Sequence, residues 1–436
     1  MKILFISTDC IAIGLAHKLK KEGNDVKLFI EEKKSRANLD NIVEKIKDWK
    51  KEIKWVGKDG LIIFDDVGWG KEVKKLKKDG HKVIGGCSEG DRLEIEREYG
   101  QKIFKQYGLK TVPLKDFDDI EEAVKFVKKN PNKWVIKHNN HDSKFLTYIG
   151  KFDDGRDVIS VLKNYLQNKY LDRQTISLHE RVDGVEIGVG RYFNGEDWVG
   201  PIEMNVEHTR FFPDDIGPVT SEMGTLAWYD TDIKNNKLFN DVLDKLKPFL
   251  QEIDFKGDFE INCIVNENGA TPLEATTRFG TPIIHLQTEI HESPWAEFLD
   301  AIACGRDYDL KHKKGYGIVN LLATPPFPYG KGNHKDTLYG VNIYLDLLSD
   351  EEKKHVHFEE IAMRGDDKNF GQLYISNNDG YNMYTTAMGA TIKEAREKSL
   401  SIAKKIIIPK VFYRNDIGLK FETEDIEKLK KWGYWK

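Results

Sequence analysis

Asp258-Phe259-Glu260-Ile261-Asn262-Cys263-Ile264-Val265, then Asn266-Glu267-Asn268-Gly269, then Ala270-Thr271-Pro272-Leu273-Glu274-Ala275-Thr276-Thr277-Arg278-Phe279-Gly280-Thr281-Pro282 is the stretch on which the reading of this chain turns. Phe259, Ile261, Cys263 and Val265 occupy every second position, the period of a strand with one buried face. Asn-Glu-Asn-Gly closes a tight turn, its glycine supplying the positive φ. The run through Leu273 then returns antiparallel, which brings Glu260 near Glu274. Two neighbouring carboxylates repel unless a cation lies between them. Mg²⁺ held by one or two carboxylates and by substrate phosphates is one solution. A solvated surface hairpin is the other. Arg278, four residues past Glu274, offers a planar fork suited to a phosphate or carboxylate.

Working outward, 436 residues allow two to four domains. A formal charge of −4 gives no reason to expect a polyanion, so no nucleic-acid partner is expected. Lysines interleave with acids along stretches read as helical, such as Glu31–Lys51, an ordinary solvated face. No apolar run approaches the roughly 20 residues that span a bilayer, so no membrane partner is expected. Met1 to Ile6 reads as a first strand rather than a secretion signal. Cys10, Cys87, Cys263 and Cys304 are scattered without a CxxC and read as reduced thiols. A cytoplasmic location is the expectation.

Residues 1–90 alternate strand and helix: strands at Lys2–Ser7, Asp25–Ile30, Gly60–Asp65 and Lys82–Gly85, with a helix over Ile11–Glu22. That predicts a doubly wound α/β domain whose ligands lie beyond the carboxyl ends of the strands. Those ends carry Ser7-Thr8-Asp9 and Asp65-Asp66. G-x-G-x-x-G is lacking, which argues against a dinucleotide. Helices are expected over Glu94–Lys105, Asp119–Lys129, Phe239–Glu252 and His285–Ala303, and a strand at Trp134–Lys137 that ends in a lysine costly to bury without an anion.

Glu274-x-x-x-Arg278-Phe279-Gly280-x-Pro282 resembles the E-x-N-x-R-F-G-D-P signature of the phosphoribosylamine–glycine ligase family, ATP-grasp enzymes of purine synthesis, with Thr276 for its Asn and Thr281 for its Asp. Other landmarks follow in order. Tyr107-Gly108 to Pro113 resembles its YGIPT segment, and Val135-Ile136-Lys137 its V-I-K. Glu180-Arg181-Val182-Asp183-Gly184-Val185-Glu186 resembles its adenine hinge. Glu207-His208-Thr209-Arg210 with Gly217 to Gly224 resembles D-H-K-R … G-P-N-T-G-G-M-G, and Tyr413 to Gly418 is close to Y-R-x-D-I-G. The likeness covers nearly the whole chain. It implies an α/β and α+β multidomain fold: an N-terminal doubly wound α/β domain over 1–90, an ATP-grasp module over 91–312 whose residues 113–185 contain the small ATP lid subdomain, and a C-terminal strand-rich domain over 313–436.

The resemblance also implies roles. Glu260, Glu274 and Thr276 would hold Mg²⁺ or Mn²⁺. Arg97, Lys137 and Lys144 would meet ATP phosphates. Glu180, Arg181 and Val182 would line adenine, and Glu186 would accept the ribose hydroxyls. Arg278 and Lys137 would act at the transferring phosphoryl group. The implied activity is an ATP-dependent carboxylate–amine ligase working through an acyl phosphate. Its substrates would be small molecules, an amino acid such as glycine and an amine such as phosphoribosylamine, in a monomer or homodimer.

Departures cluster on the acceptor side. The family's G-G-R-E-H turn is Ser7 to Ile13 here, without a basic residue. Its Gly-Gly is Ser221-Glu222, and its later G-G-R is Asp379-Gly380-Tyr381-Asn382. The phosphate lid, His138 to Gly150, contains one glycine. Two alternatives therefore stand beside the main reading: a paralogue joining another amino acid to another amine, and a non-catalytic ATP-binding protein of the same fold.

Overall fold

Ser7 and Asp65 close two adjacent parallel strands, and the rest of the architecture converges on the cleft beyond them. The computed structural model describes residues 1–138, 147–168, 175–329, 337–365 and 371–435. The first sheet contains β1 (Lys2–Ser7), β2 (Asp25–Ile30), β3 (Glu44–Lys45), β4 (Leu61–Phe64) and β5 (Lys82–Ile84), in the order β3-β2-β1-β4-β5. Every pairing is parallel. The strand order reverses between β1 and β4, which is where a doubly wound sheet opens its ligand crevice. β1 and β4 are buried on both faces, as their unbroken apolar runs require.

A four-stranded sheet follows, ordered β6-β9-β7-β8, from β6 (Leu114–Phe117), β7 (Trp134–His138), β8 (Tyr148–Ile149) and β9 (Ile176–Glu180). The helices Ile120–Lys129 and Arg156–Asn168 accompany it. Asp119 caps the first of these by accepting the Glu121 N–H at 2.7 Å.

The largest sheet takes β10 (Val185–Asn194) and β11 (Trp198–Glu207). A hairpin of β12 (Arg210–Phe212) and β13 (Ile216–Val219) leads to its next strands, β14 (Gly224–Asp230), β15 (Lys256–Asn266), β16 (Gly269–Thr276), β17 (Tyr316–Ala323) and β18 (Val356–Phe358). A ribbon of β19 (Ile361–Met363) and β20 (Leu373–Ile375) precedes its last strand, β21 (Tyr381–Gly389). The eight strands run β16-β15-β10-β11-β14-β17-β21-β18. Strands from both sides of residue 313 thus share one sheet. Phe193, Trp198, Phe249 and Phe259 pack beneath it as fully or nearly fully buried rings.

Several expected helices differ. Glu31–Lys51 is not helical: it holds a short 3₁₀ turn, β3 and positive φ angles at Leu39 and Asn41. Leu39, Ile42 and Val43 are buried there, so hydrophobic anchoring overrides the charge pattern. Glu94–Lys105 is two helices, Ser88–Ile95 and Arg97–Gln106, broken where Glu96 turns extended at ψ 94°. His285–Ala303 divides into Ile283–Ile290 and Trp295–Ala303 around Pro294, whose ring cannot continue a helix. Phe239–Glu252 includes π and 3₁₀ turns before its final α segment.

Candidate active site

The hairpin forms as the alternation predicts. β15 and β16 pair antiparallel with Glu260 opposite Thr276 and Asn262 opposite Glu274. Glu260 is 6% exposed, whereas the Glu274 side chain is 45% exposed, so one carboxylate is sunk and the other reaches outward. Glu260, Glu274, Thr276 and Arg278 line one cavity. Arg97 Nη1 lies 3.2 Å from Glu274 Oε2, and Lys137 Nζ lies 3.6 Å from the same oxygen. Arg97 comes from the start of a helix and Lys137 from β7, so three separate elements meet at Glu274.

A second cavity adjoins the first and shares Arg97, Thr147, Glu207 and Glu274 with it. Val112, Val135, Ile149, Ile264 and Leu273 give it apolar walls, and Glu180, Arg181, Val182 and Glu186 stand at its edge. The hinge backbone is anchored on one side: Glu180 N–H donates to Pro113 O at 2.9 Å and Arg181 N–H to Lys133 O at 2.9 Å. Asn262 Nδ2 donates to Glu186 Oε1 at 3.2 Å. Thus Arg97, Lys137, Glu180, Arg181, Val182, Glu186, Glu260, Glu274, Thr276 and Arg278 all line one continuous cleft. Lys144 lies outside the described residues.

Electrostatics behind the hairpin bring in Glu203, Asn205 and Gln287, which the sequence reading did not single out. Asp258, Glu260 and Asn262 share one face of β15, and Glu203, Asn205 and Glu207 one face of β11. Asn205 Nδ2 donates to Glu260 Oε1 at 2.9 Å, reaching across β10, which lies between them. Gly188 makes that reach possible, because a Cβ there would sit 2.3 Å from Asn205 Oδ1 and 2.4 Å from Glu260 Oε1. Gln287 Nε2 donates to Glu203 Oε2 at 2.8 Å and to Asp258 Oδ2 at 3.0 Å. Burial raises the pKa of all three carboxyls, Asp258 to about 7, because the charged form loses its water. Polar residues at alternate positions of otherwise apolar strands were the available signal.

Arg278 is held rather than loose. Its Nε lies 3.0 Å from Glu94 Oε1 and 3.5 Å from Asp66 Oδ1, and its Nη1 donates to Phe279 O at 2.8 Å. Burial opposes its charge, but Glu94, Asp66 and Asp9 outweigh that and raise its pKa. Glu94 also accepts the Thr277 N–H at 2.8 Å, so one carboxylate fixes both the loop after β16 and its arginine.

The donor chemistry fits a small hard cation. Glu260 is a buried carboxylate whose charge burial disfavours, Glu274 faces it from the paired strand, and Thr276 adds a hydroxyl between strands. Among the described residues no three His, Cys, Asp or Glu side chains form a closed cage, so phosphates and water would complete the shell.

Residues 95–283 match the family profile described as phosphoribosylglycinamide synthetase, ATP-grasp (A) domain. A phosphoribosylamine–glycine ligase of Listeria monocytogenes is 25% identical over 353 residues, covering 78% of this chain and 79% of that protein. The corresponding ligase of Caldanaerobacter subterraneus is 23% identical over 349 residues, covering 77% and 78%. Among solved structures, phosphoribosylamine–glycine ligase from Thermotoga maritima superposes with a TM-score of 0.72 at 18% identity, over 96% of this chain and 100% of that one. The biotin carboxylase domain of Hydrogenobacter thermophilus 2-oxoglutarate carboxylase, in complex with MgADP, gives 0.65 at 13% identity, over 99% and 97%. No helix among the described residues is long and apolar enough to cross a membrane.

Proposed function

We propose the following chemistry for this chain, which belongs to the phosphoribosylamine–glycine ligase family of ATP-grasp enzymes. It is an ATP-dependent carbon–nitrogen ligase that joins an amino-acid carboxylate, glycine in the first instance, to an amine. The observation that carries this reading is the convergence of Arg97 and Lys137 on Glu274, beside the buried Glu260.

A carboxylate is a poor electrophile. Attack of one of its oxygens on the γ-phosphorus of ATP forms an acyl phosphate and releases ADP. Attack of the amine nitrogen on the acyl carbon then forms the C–N bond, breaks the C–O bond to phosphate and releases a proton. Such transfer depends on positioning and on charge neutralisation. The Val112, Val135, Ile149 and Leu273 walls would take the adenine, with the Glu180–Val182 backbone reading its edge and Glu186 the ribose. Arg97 and Lys137 would leave Glu274 to meet the phosphates. Glu260, Glu274 and Thr276 would hold Mg²⁺, which neutralises phosphate charge and aligns the nucleotide when bound. Arg278, fixed by Glu94 and Asp66, would face the acyl phosphate. The division into 1–90, 91–312 and 313–436 remains part of this reading, and the protein would work in the cytoplasm.

Phosphate release from Mg-ATP tests this reading. Turnover should require both an amino acid and an amine, and Glu274→Ala should abolish it. ATP binding without turnover under any combination would sink the ligase reading in favour of a binding protein.

A further inference from the structure

The two oxygens of Glu260 face different surroundings. Oε1 turns back toward β10, where a Cβ added to Gly188 would stand 2.4 Å from it. Oε2 turns toward the loop after β16, where a Cβ added to Gly280 would stand 3.7 Å from it. Gly280 lines the cavity together with Glu260, Glu274 and Thr276. One oxygen is thus directed to the side of the proposed metal ligands, and the other is tucked against the sheet.

Asn205 holds the inner oxygen. Its Nδ2 donates to Glu260 Oε1 at 2.9 Å and to Glu203 Oε1 at 3.4 Å, which commits both N–H bonds of the amide. The pair of carboxylates also fixes which way the amide points, because an amide oxygen in that place would meet two acceptors. Glu203 is itself braced: Gln287 Nε2 donates to its Oε2 at 2.8 Å, and the Tyr192 hydroxyl donates to Gln287 Oε1 at 2.6 Å. Asn205 is 1% exposed, and its own Oδ1 has no hydrogen-bond partner among the described residues. Burying an amide oxygen without a partner costs stability, which an apolar side chain of similar volume would not. What the amide contributes against that cost is the hold of its nitrogen on the two carboxylates.

We propose that Asn205 is a positioning residue that leaves Glu260 only Oε2 for a metal, and that it thereby biases the nucleotide site toward Mg²⁺ over Ca²⁺. This rests on the reading of Glu260 as a ligand of the nucleotide's metal. Mg²⁺ demands near-octahedral ligands at short distances. The two oxygens of one carboxylate subtend far less than the right angle between octahedral neighbours, so Mg²⁺ is best served by one of them. Ca²⁺ is larger, takes more ligands and accepts a carboxylate through both oxygens. A carboxylate with one oxygen held by an amide suits the first ion and denies the second its extra ligand.

The test uses the purified full chain and the non-hydrolysable analogue AMP-PNP. Calorimetry gives its Kd in excess Mg²⁺, in excess Ca²⁺ and in chelator, for the unaltered chain, Asn205→Leu and Asn205→Ala. Leucine keeps the bulk and removes both donors, and alanine serves if leucine disturbs the sheet. In the variant the Mg²⁺ complex should bind about tenfold more weakly, the cost typical of losing a ligand's supporting partner, and the Ca²⁺ complex at most about threefold more weakly. The preference for Mg²⁺ therefore falls at least about threefold. A merely structural role for Asn205 would weaken both complexes by one factor. A ratio that stays put, or moves toward Mg²⁺, overturns the inference. Glu260→Gln separates this from the underlying reading. If that variant binds the Mg²⁺ complex as tightly as the unaltered chain, Glu260 is no metal ligand and both fail. If it binds the complex more weakly while Asn205→Leu leaves the ratio in place, only this inference fails.

Discussion

Arg97 Nη1 lies 3.2 Å from Glu274 Oε2, tying the first turn of a helix to the outward carboxylate of the β15–β16 hairpin. Both side chains keep solvent contact, so the pair itself adds at most about 1 kcal/mol to stability. In the proposed reaction the pair would open when phosphates and a metal bind, and Lys137, 3.6 Å from the same oxygen, would open with it. Arg97→Ala should raise KM for ATP roughly 10-fold or more through loss of a charge-assisted hydrogen bond, while the urea midpoint barely moves. Arg97→Lys should recover part of the loss. A large fall in stability with unchanged KM would show that the pair is structural.

Gly188→Ala tests the crossing of β10 by Asn205 and Glu260. The atoms a new methyl would meet are the far ends of two side chains, not backbone, so the fold should survive. Glu260 would be pushed off its bond with Asn205, and the Mg²⁺ concentration for half-maximal turnover should rise at least about tenfold, the cost typical of losing a ligand's supporting partner. Titration of activity with Mg²⁺ reads this directly.

Asp258 predicts a pH dependence of stability with a definite sign. Unfolded, its carboxyl ionises near pH ~4. In the folded protein burial lifts it to about 7. Between those values the folded state holds more protons than the unfolded state, so this group makes stability fall as pH rises through the window. Asp258→Asn removes that slope, by a few kcal/mol across the full window. Denaturant melts of both proteins at pH 5 and 8 check it, and equal differences at the two values would refute it.

Thr276 stands opposite Glu260 on the paired strand, close enough for their side chains to share a ligand. An amide oxygen reaches further and is a better hard donor than a hydroxyl at this position. Thr276→Asn should therefore lower the Mg²⁺ needed for half-maximal turnover several-fold without changing the thermal midpoint. An unchanged Mg²⁺ requirement would remove Thr276 from the metal's surroundings.

The hairpin was readable because strand alternation and a glycine turn are local signals. So were β1, β4 and β7, whose apolar runs leave little choice of conformation. Lys137 stood out because a lysine ending such a strand needs an anion nearby. Helix boundaries were less legible where tertiary anchors intervened, as at Glu96, Pro294 and the buried Leu39–Val43 segment. Asn205, Glu94 and Gln287 were missed because each matters through a partner distant in the chain: Glu260 at 2.9 Å, Arg278 at 3.0 Å and Glu203 at 2.8 Å.

What the sequence by itself determined is the set of elements and the chemistry of the ligand types: two carboxylates on facing strands, a strand-end lysine, and a first turn with no basic residue. Only the tertiary structure decided who meets whom. It placed β10 between β11 and β15, joined strands from both sides of residue 313 into one sheet, and brought Arg97, Lys137 and Glu274 to one point. It also spent the amides of two helix starts on Asp65 and Asp91. The physical reason is that periodicity reports which face of an element is buried, whereas pairing between elements is set by how all the buried faces pack at once.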